Sequence, residues 1–179
     1  MRELSLHMTD IAQNALAAGA TRIRLKVDID RRRDIIKTSV EDNGCGMDEQ
    51  TLNHCTDPFM TTRASRRIGL GLALYKLSAE QSGGSFSIKS KLGRGTGVYA
   101  DYVISCVDRA PLGSMAETVA ALAAANPQTE FELEYTADGR GFTFIANTPH
   151  GGGAASAAAD IQKQIQQRID EINGGAEPI

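Results

Sequence analysis

Three glycine clusters in a fixed order constrain the fold more than any other feature of this sequence. Each falls at a junction of predicted elements: after a strand at 34–40, at the start of a helix that runs to Ser82, and between strands at 85–90 and 98–104. Glycine allows positive φ angles and lets a ligand approach the backbone closely. Each cluster alone is also typical of an ordinary turn, helix start or hairpin, so only the combination favours a ligand site. The clusters are Asp42-Asn43-Gly44-Cys45-Gly46, Gly69-Leu70-Gly71-Leu72 and Gly93-Arg94-Gly95-Thr96-Gly97.

The first predicted helix, 2–18, carries an acid and an amide one turn apart. His7, Asp10 and Asn14 follow one another at helical spacing, and His7 is interpreted as a residue of the helix surface. The amide oxygen of Asn14 would suit Mg²⁺ beside phosphates, and Asp10 could orient a water molecule or accept a proton. A solvated helix face explains the same three residues. The apolar stripe predicted to be buried consists of Leu4, Met8, Ile11, Ala15 and Ala18.

The segment at 57–67, which lies between the first two glycine clusters, is short, polar and basic. Its arginines Arg63, Arg66 and Arg67 suggest a lid that closes over phosphates, although a solvated loop explains the same composition. The helix that begins after this segment would present backbone N–H groups at its N-terminus, where phosphate binds well. An ordinary helix start needs no phosphate. Three leucines of this helix are predicted to lie in the core: Leu70, Leu74 and Leu77.

Taken together, the motifs resemble the GHKL superfamily of ATPases, which includes gyrases, heat-shock chaperones, histidine kinases and mismatch-repair proteins. The resemblance covers residues 3–105 and implies an α/β two-layer sandwich, with helices on one face of a mixed β-sheet and ATP beneath a mobile lid. The matching series is Asp10-x-x-x-Asn14, Asp42-x-Gly44-x-Gly46, Asp57-Pro58-Phe59, Gly69-x-Gly71 and Gly93-x-Gly95-Thr96.

The resemblance implies a role for each matching residue. Asn14 would coordinate Mg²⁺, Asp10 would be the catalytic residue, and Asp42 would recognise the adenine amino group with Thr96 nearby. Gly44 and Gly46 would shape the adenine pocket, and Gly69 and Gly71 would supply amides for the phosphates. The full set implied for the nucleotide is Asn14, Asp42, Gly44, Gly46, Met47, Thr62, Arg63, Gly69, Leu70, Gly71, Leu72 and Thr96.

Two departures from the family pattern leave the activity open. Members that hydrolyse ATP usually carry Glu where this chain has Asp10, so hydrolysis is expected to be slow. The residues before Asn14 are too few for the helical hairpin that carries the phosphorylated histidine of a complete sensor kinase. The remaining hypotheses are slow ATP hydrolysis, phosphoryl transfer to a protein partner in bacterial signalling, a nucleotide-gated binding module without turnover, and a scaffold with an inactive site. The second and third would match stand-alone histidine-kinase-like proteins, anti-sigma factor kinases or accessory proteins of redox complexes.

Composition excludes several other classes. The net charge of -3 and the 5% of aromatic residues argue against a nucleic-acid binder. No apolar run is long enough to span a membrane, and the N-terminus lacks the apolar core of a signal peptide, so a cytoplasmic location is expected. The three cysteines show no CxxC spacing and are interpreted as reduced thiols.

Charge and composition divide the chain into three predicted segments. Residues 1–107, the ATP-binding domain, carry 15 basic and 12 acidic residues, whereas residues 108–179 carry 4 and 10. A small α-β-β extension is predicted over 108–150, followed over 151–179 by a glycine-rich linker and an amphipathic tail helix. The apolar stripe of that helix would pack on its own domain or on a second copy in a homodimer. It consists of Ile161, Ile165, Ile169 and Ile172.

Overall fold

The helices and strands follow the hydrophobic periodicities of the sequence. The computed structural model describes residues 3–56, 70–146 and 154–174. In chain order, its elements are α1 (Leu4–Ala17), β1 (Arg22–Asp30), β2 (Ile35–Asp42), α2 (Glu49–His54), α3 (Leu70–Gln81), β3 (Phe86–Lys91), β4 (Gly95–Val103), α4 (Met115–Ala125), β5 (Glu130–Ala137), β6 (Arg140–Ala146) and α5 (Ala154–Asn173).

The strands form one six-stranded mixed sheet in the order β3-β4-β2-β1-β5-β6. Neighbouring strands are antiparallel except β1 and β5, which run parallel from the pair Arg22–Glu130 to the pair Ile29–Ala137. The strands of the region after residue 107 therefore extend the sheet that the first region begins.

Among the described elements, the four long helices lie on one face of this sheet. Along β1, Ile23 and Leu25 are buried whereas Arg24 and Lys26 are partly exposed, because successive side chains of a strand point to opposite faces. The buried face packs against α1, α3, α4 and α5. The predicted two-layer α/β sandwich, with helices on one face of a mixed sheet, is confirmed.

The C-terminal elements complete the core of the sheet. Helix α4 begins after Ser114, whose Oγ accepts a hydrogen bond from the Glu117 N–H at 3.1 Å, and it ends before Asn126. Helix α5 packs on α4 and on the β5–β6 hairpin. Its residues Ile161, Ile165 and Ile169 are at most 8% exposed. The isoleucine stripe is therefore used inside the chain.

The face of α3 that packs against the core is not the face predicted from its leucines. Leu70 and Leu77 are 37% and 47% exposed, whereas Tyr75 and Ala79 are fully buried, so the prediction of core positions for these two leucines is wrong. The reason is that α3 packs against α1 through Tyr75, whose ring stacks on that of His7 with centroids 5.5 Å apart. His7 is consequently 2% exposed and is not a surface residue as predicted.

Within the described part of the chain, no helix is both long and apolar enough to cross a membrane.

Candidate functional site

Asp42 ends β2 as a half-buried carboxylate whose orientation is fixed by backbone groups. Its Oδ1 accepts the Gly44 N–H at 2.7 Å, and the carboxylate also accepts the N–H of Thr96 from β4. Burial raises the pKa of Asp42, and these two hydrogen bonds to the charged form oppose that rise. A carboxylate can accept about four hydrogen bonds, so Asp42 keeps acceptor capacity for a ligand.

The backbone requires glycine at two positions, one in the loop after Asp42 and one at the start of β4. Gly46 has a φ of +67° and Gly95 a φ of +96°. A Cβ at Gly46 would overlap the carbonyl oxygen of Lys91, and one at Gly95 would overlap that of Asp42. The loop and the β3–β4 hairpin therefore approach each other backbone to backbone beside Asp42.

The loop also contacts the chain directly after α1. The Cys45 N–H donates to the carbonyl oxygen of Ala18 at 2.9 Å, directly after α1. A Cβ at the buried Gly44 would lie 2.9 Å from the same oxygen. The loop is thus held between the helix that carries Asp10 and Asn14 and the hairpin that carries Thr96.

Two residues that the sequence analysis did not select also shape the loop. The Asn43 Oδ1 accepts the N–H groups of Thr21 and Arg22, both at 2.9 Å, which ties the loop to the start of β1. The Ser90 Oγ accepts the N–H of Met47 at 2.8 Å. One feature of the sequence could have identified Ser90: it is a polar residue among the inward-facing positions of β3, which are otherwise apolar.

Asp10 lies where α1 meets the first turn of α3. A Cβ at Gly71 would stand 3.3 Å from the Cβ of Asp10 and 3.5 Å from its Oδ2, so only a residue without a side chain leaves this contact uncrowded. Burial raises the pKa of the Asp10 carboxyl group. Asn14 is exposed one turn further along α1, Leu70 begins α3, and Leu72 packs against the core.

The predicted site residues thus fall into two groups joined by α1. Asp42, Gly44, Gly46, Met47 and Thr96 come together around the loop, and Asp10 meets Gly71 at the start of α3. Several predicted residues lie outside the described residues: Thr62, Arg63 and Gly69, together with the motif Asp57-Pro58-Phe59 and the arginines Arg66 and Arg67.

The side-chain oxygens of Asp10 and Asn14 on α1 are of the kind that could bind Mg²⁺. Among the residues that the structure describes, no cluster of three or more His, Cys, Asp or Glu side chains could hold a metal ion. Mg²⁺ takes one or two protein oxygens and completes its shell with water and substrate phosphates. The exposed amide of Asn14, one turn from the Asp10 carboxylate, supplies ligands of that kind.

Comparison with known proteins agrees with this architecture. Residues 2–103 match the family model described as histidine kinase-, DNA gyrase B-, and HSP90-like ATPase. The chain therefore belongs to this ATPase family, and its match covers more than half of the sequence.

Individual relatives are similar to part of this chain. The sensor protein kinase FleS of Pseudomonas aeruginosa is 38% identical over 108 residues, which cover 60% of this chain and 26% of FleS. The tetrathionate sensor histidine kinase TtrS of Salmonella typhimurium is 36% identical over 84 residues, which cover 47% of this chain and 14% of TtrS. The chain thus matches about a quarter or less of these relatives' length.

A solved structure extends the similarity of fold to the C-terminal elements. The MutL ATPase domain of Aquifex aeolicus, solved with ADP, aligns with a TM-score of 0.56 at 15% identity. The alignment covers 91% of this chain and 70% of that domain. At this identity, the comparison establishes the fold alone.

Proposed function

We propose that this chain binds Mg²⁺-ATP, with the adenine against Asp42, and uses it for slow hydrolysis or for phosphoryl transfer to a protein partner in bacterial signalling. The observation that carries the proposal is the Asp42 carboxylate, which two backbone N–H groups orient beside the glycine loop. An ionised carboxylate only accepts hydrogen bonds, and the exocyclic amino group of adenine donates them. The sensor kinases among the relatives support the role in signalling.

The start of α3 is the proposed phosphate end of the site. The first backbone N–H groups of an α-helix have no intrahelical partners and favour anions. The amide oxygen of Asn14 would hold Mg²⁺, which would neutralise phosphate charge when bound. The raised pKa of Asp10 makes its carboxylate a better proton acceptor at neutral pH than an exposed aspartate. Asp10 would accept the proton of the attacking group.

Phosphate release from Mg²⁺-ATP by the purified chain tests this assignment. We expect Asn14→Ala to weaken nucleotide binding and abolish release. We expect Asp10→Asn to retain binding and to lower release by about 100-fold, the scale of general-base catalysis. Gln13→Ala, which changes an exposed neighbour on the same helix, is the matched control and should behave as the wild type.

The outcomes separate the candidate activities. Turnover that is unchanged in Asp10→Asn would contradict the role of Asp10. Binding without release in the wild type would favour phosphoryl transfer to a partner or a nucleotide-gated binding module. Transfer is then distinguished by labelled phosphate that appears on a protein partner.

A further inference from the structure

Ser90 connects the two sides of the proposed base site through one hydroxyl group. It lies on β3, and its Oγ contacts the Met47 N–H at 2.8 Å and the Gly95 carbonyl oxygen at 3.1 Å. The same oxygen lies 2.8 Å from the hydroxyl oxygen of Thr96. Met47 belongs to the loop after Asp42, whereas Gly95 and Thr96 begin β4.

The number of protons determines the direction of these three hydrogen bonds. A serine hydroxyl has one proton to donate and two lone pairs that accept. The Met47 N–H can only donate to Ser90, and the Gly95 carbonyl can only accept from it. Because the proton of Ser90 goes to Gly95, the contact with Thr96 is a hydrogen bond only if the Thr96 hydroxyl donates. This is the one assignment that gives a proton to every contact.

We propose that Ser90 is a positioning residue that sets the base specificity of the site by acting on Thr96. With its proton held by Ser90, Thr96 presents only lone pairs, and it stands beside Asp42, whose carboxylate accepts the Thr96 N–H. In this arrangement, the exocyclic group at position 6 of the base meets two acceptors, the Asp42 carboxylate and the Thr96 hydroxyl oxygen. This inference rests on the proposed function.

Two acceptors favour one class of base. At position 6 of a purine, two acceptors match the two protons of the adenine amino group, and they repel the carbonyl oxygen that hypoxanthine and guanine carry there. A site built to hydrogen-bond one group rejects an analogue that leaves its buried polar atoms unpaired. Without Ser90, the Thr96 hydroxyl could rotate and donate to a carbonyl oxygen, so the rejection would weaken.

The test compares the affinities of the full chain for ATP and for inosine triphosphate, in which a carbonyl replaces the amino group. We expect Ser90→Ala to lower the ratio of the affinity for ATP to that for inosine triphosphate by about tenfold. This is the size of the contribution of one hydrogen bond, which the freed Thr96 hydroxyl could then donate to the carbonyl oxygen of inosine triphosphate. Ser87→Ala is the matched control, because Ser87 is an exposed residue of the same strand on the opposite face. It should leave the ratio unchanged.

A second variant shows whether Ser90 acts through Thr96. Thr96→Val keeps the shape of the side chain, removes the hydroxyl and should also lower the ratio. Adding Ser90→Ala to Thr96→Val should then lower the ratio no further, whereas independent effects would overturn the proposal.

Folding defects and failure of the proposed function give different results. If Ser90→Ala does not fold, two other variants replace it. Ser90→Thr retains a hydroxyl and should keep the wild-type ratio of affinities, whereas Thr96→Val should have a lower ratio. An equal ratio in Thr96→Val and the wild type overturns the role of Ser90. A wild type that binds neither nucleotide overturns the proposed function and this inference with it, whereas selective ATP binding that survives Ser90→Ala overturns this inference alone.

Discussion

The side chain of His7 shows how much of a residue's environment helical spacing can predict. His7, Asp10 and Asn14 do follow one line along α1, but His7 is buried, Asp10 is half-buried and Asn14 is exposed. The line passes from the interior to solvent because α3 stacks Tyr75 against His7 near the start of α1. Spacing indicates which residues share a face, whereas the coverage of that face depends on a helix that lies distant in sequence.

Burial of His7 predicts a loss of stability in acid. It lowers the pKa of His7 from 6.5 to about 4, so between these values the unfolded chain binds a proton that the folded chain does not. Stability conferred by the neutral ring is therefore complete above pH 6.5 and is lost as the pH falls towards 4, with a slope of at most about 1.4 kcal/mol per pH unit.

Denaturant unfolding at several pH values measures this effect. We expect the free energy of unfolding of the wild type to fall more steeply with acid than that of His7→Phe, which keeps an aromatic ring against Tyr75. The carboxyl groups titrate in both proteins, so their contribution cancels in the difference. Parallel curves would mean that His7 does not stay neutral in the folded chain.

At the scale of elements, local signals predicted the strands but not their neighbours. The alternation of β1 and β5 and the turns of the hairpins are visible in short stretches of sequence. The parallel pairing of β1 with β5 joins residues 108 positions apart, as in the ion pair of Arg22 with Glu130, and no local pattern encodes it. The candidate site divides in the same way: its glycines and acids form local motifs, whereas the Ser90 hydroxyl reaches Thr96 because β3 pairs with β4.

Opposite charges align β1 with β5 on the open face of the sheet. Arg22, Arg24 and Lys26 each stand directly opposite a glutamate of β5 and form an ion pair with it. A register shift by one residue would turn these charges towards the helices and the apolar residues towards solvent. The ladder therefore adds specificity to a pairing that the apolar face stabilises.

Reversal of one pair tests this ladder. The Lys26 Nζ lies 2.6 Å from the Glu134 Oε1, with side chains 41% and 33% exposed. Because solvent screens such a pair, we expect Lys26→Glu to cost about 1 kcal/mol of unfolding free energy, and Glu134→Lys in the same chain to restore most of it. Denaturant unfolding measures both variants. A double variant as unstable as the sum of the single variants would show that the pairing of charges is not what matters.

At the scale of the whole molecule, the C-terminal helix is part of the core of the fold. The sequence left two interpretations of the α5 isoleucines, packing within the chain or dimerisation, because an amphipathic stripe does not specify what covers it. In the structure, Ile165 is fully buried, and α5 contacts α4, β5 and β6. Arg168 adds to this packing, since its guanidinium group lies 5.7 Å and 5.5 Å from the ring centroids of Phe142 and Phe144.

Replacement of Ile165 distinguishes an internal helix from a dimer interface. We expect Ile165→Ala to lower the free energy of unfolding by about 2–5 kcal/mol, because it removes buried methyl groups and leaves a cavity. Gln164→Ala, at an exposed neighbour on the same helix, is the control and should change stability by less than about 0.5 kcal/mol. The mass of the folded protein in light scattering should be the same for both variants and the wild type.

An interface between copies would instead make the stability of the wild type depend on protein concentration, and Ile165→Ala would reduce the mass of the assembly. That result would contradict the packing of α5 within one chain.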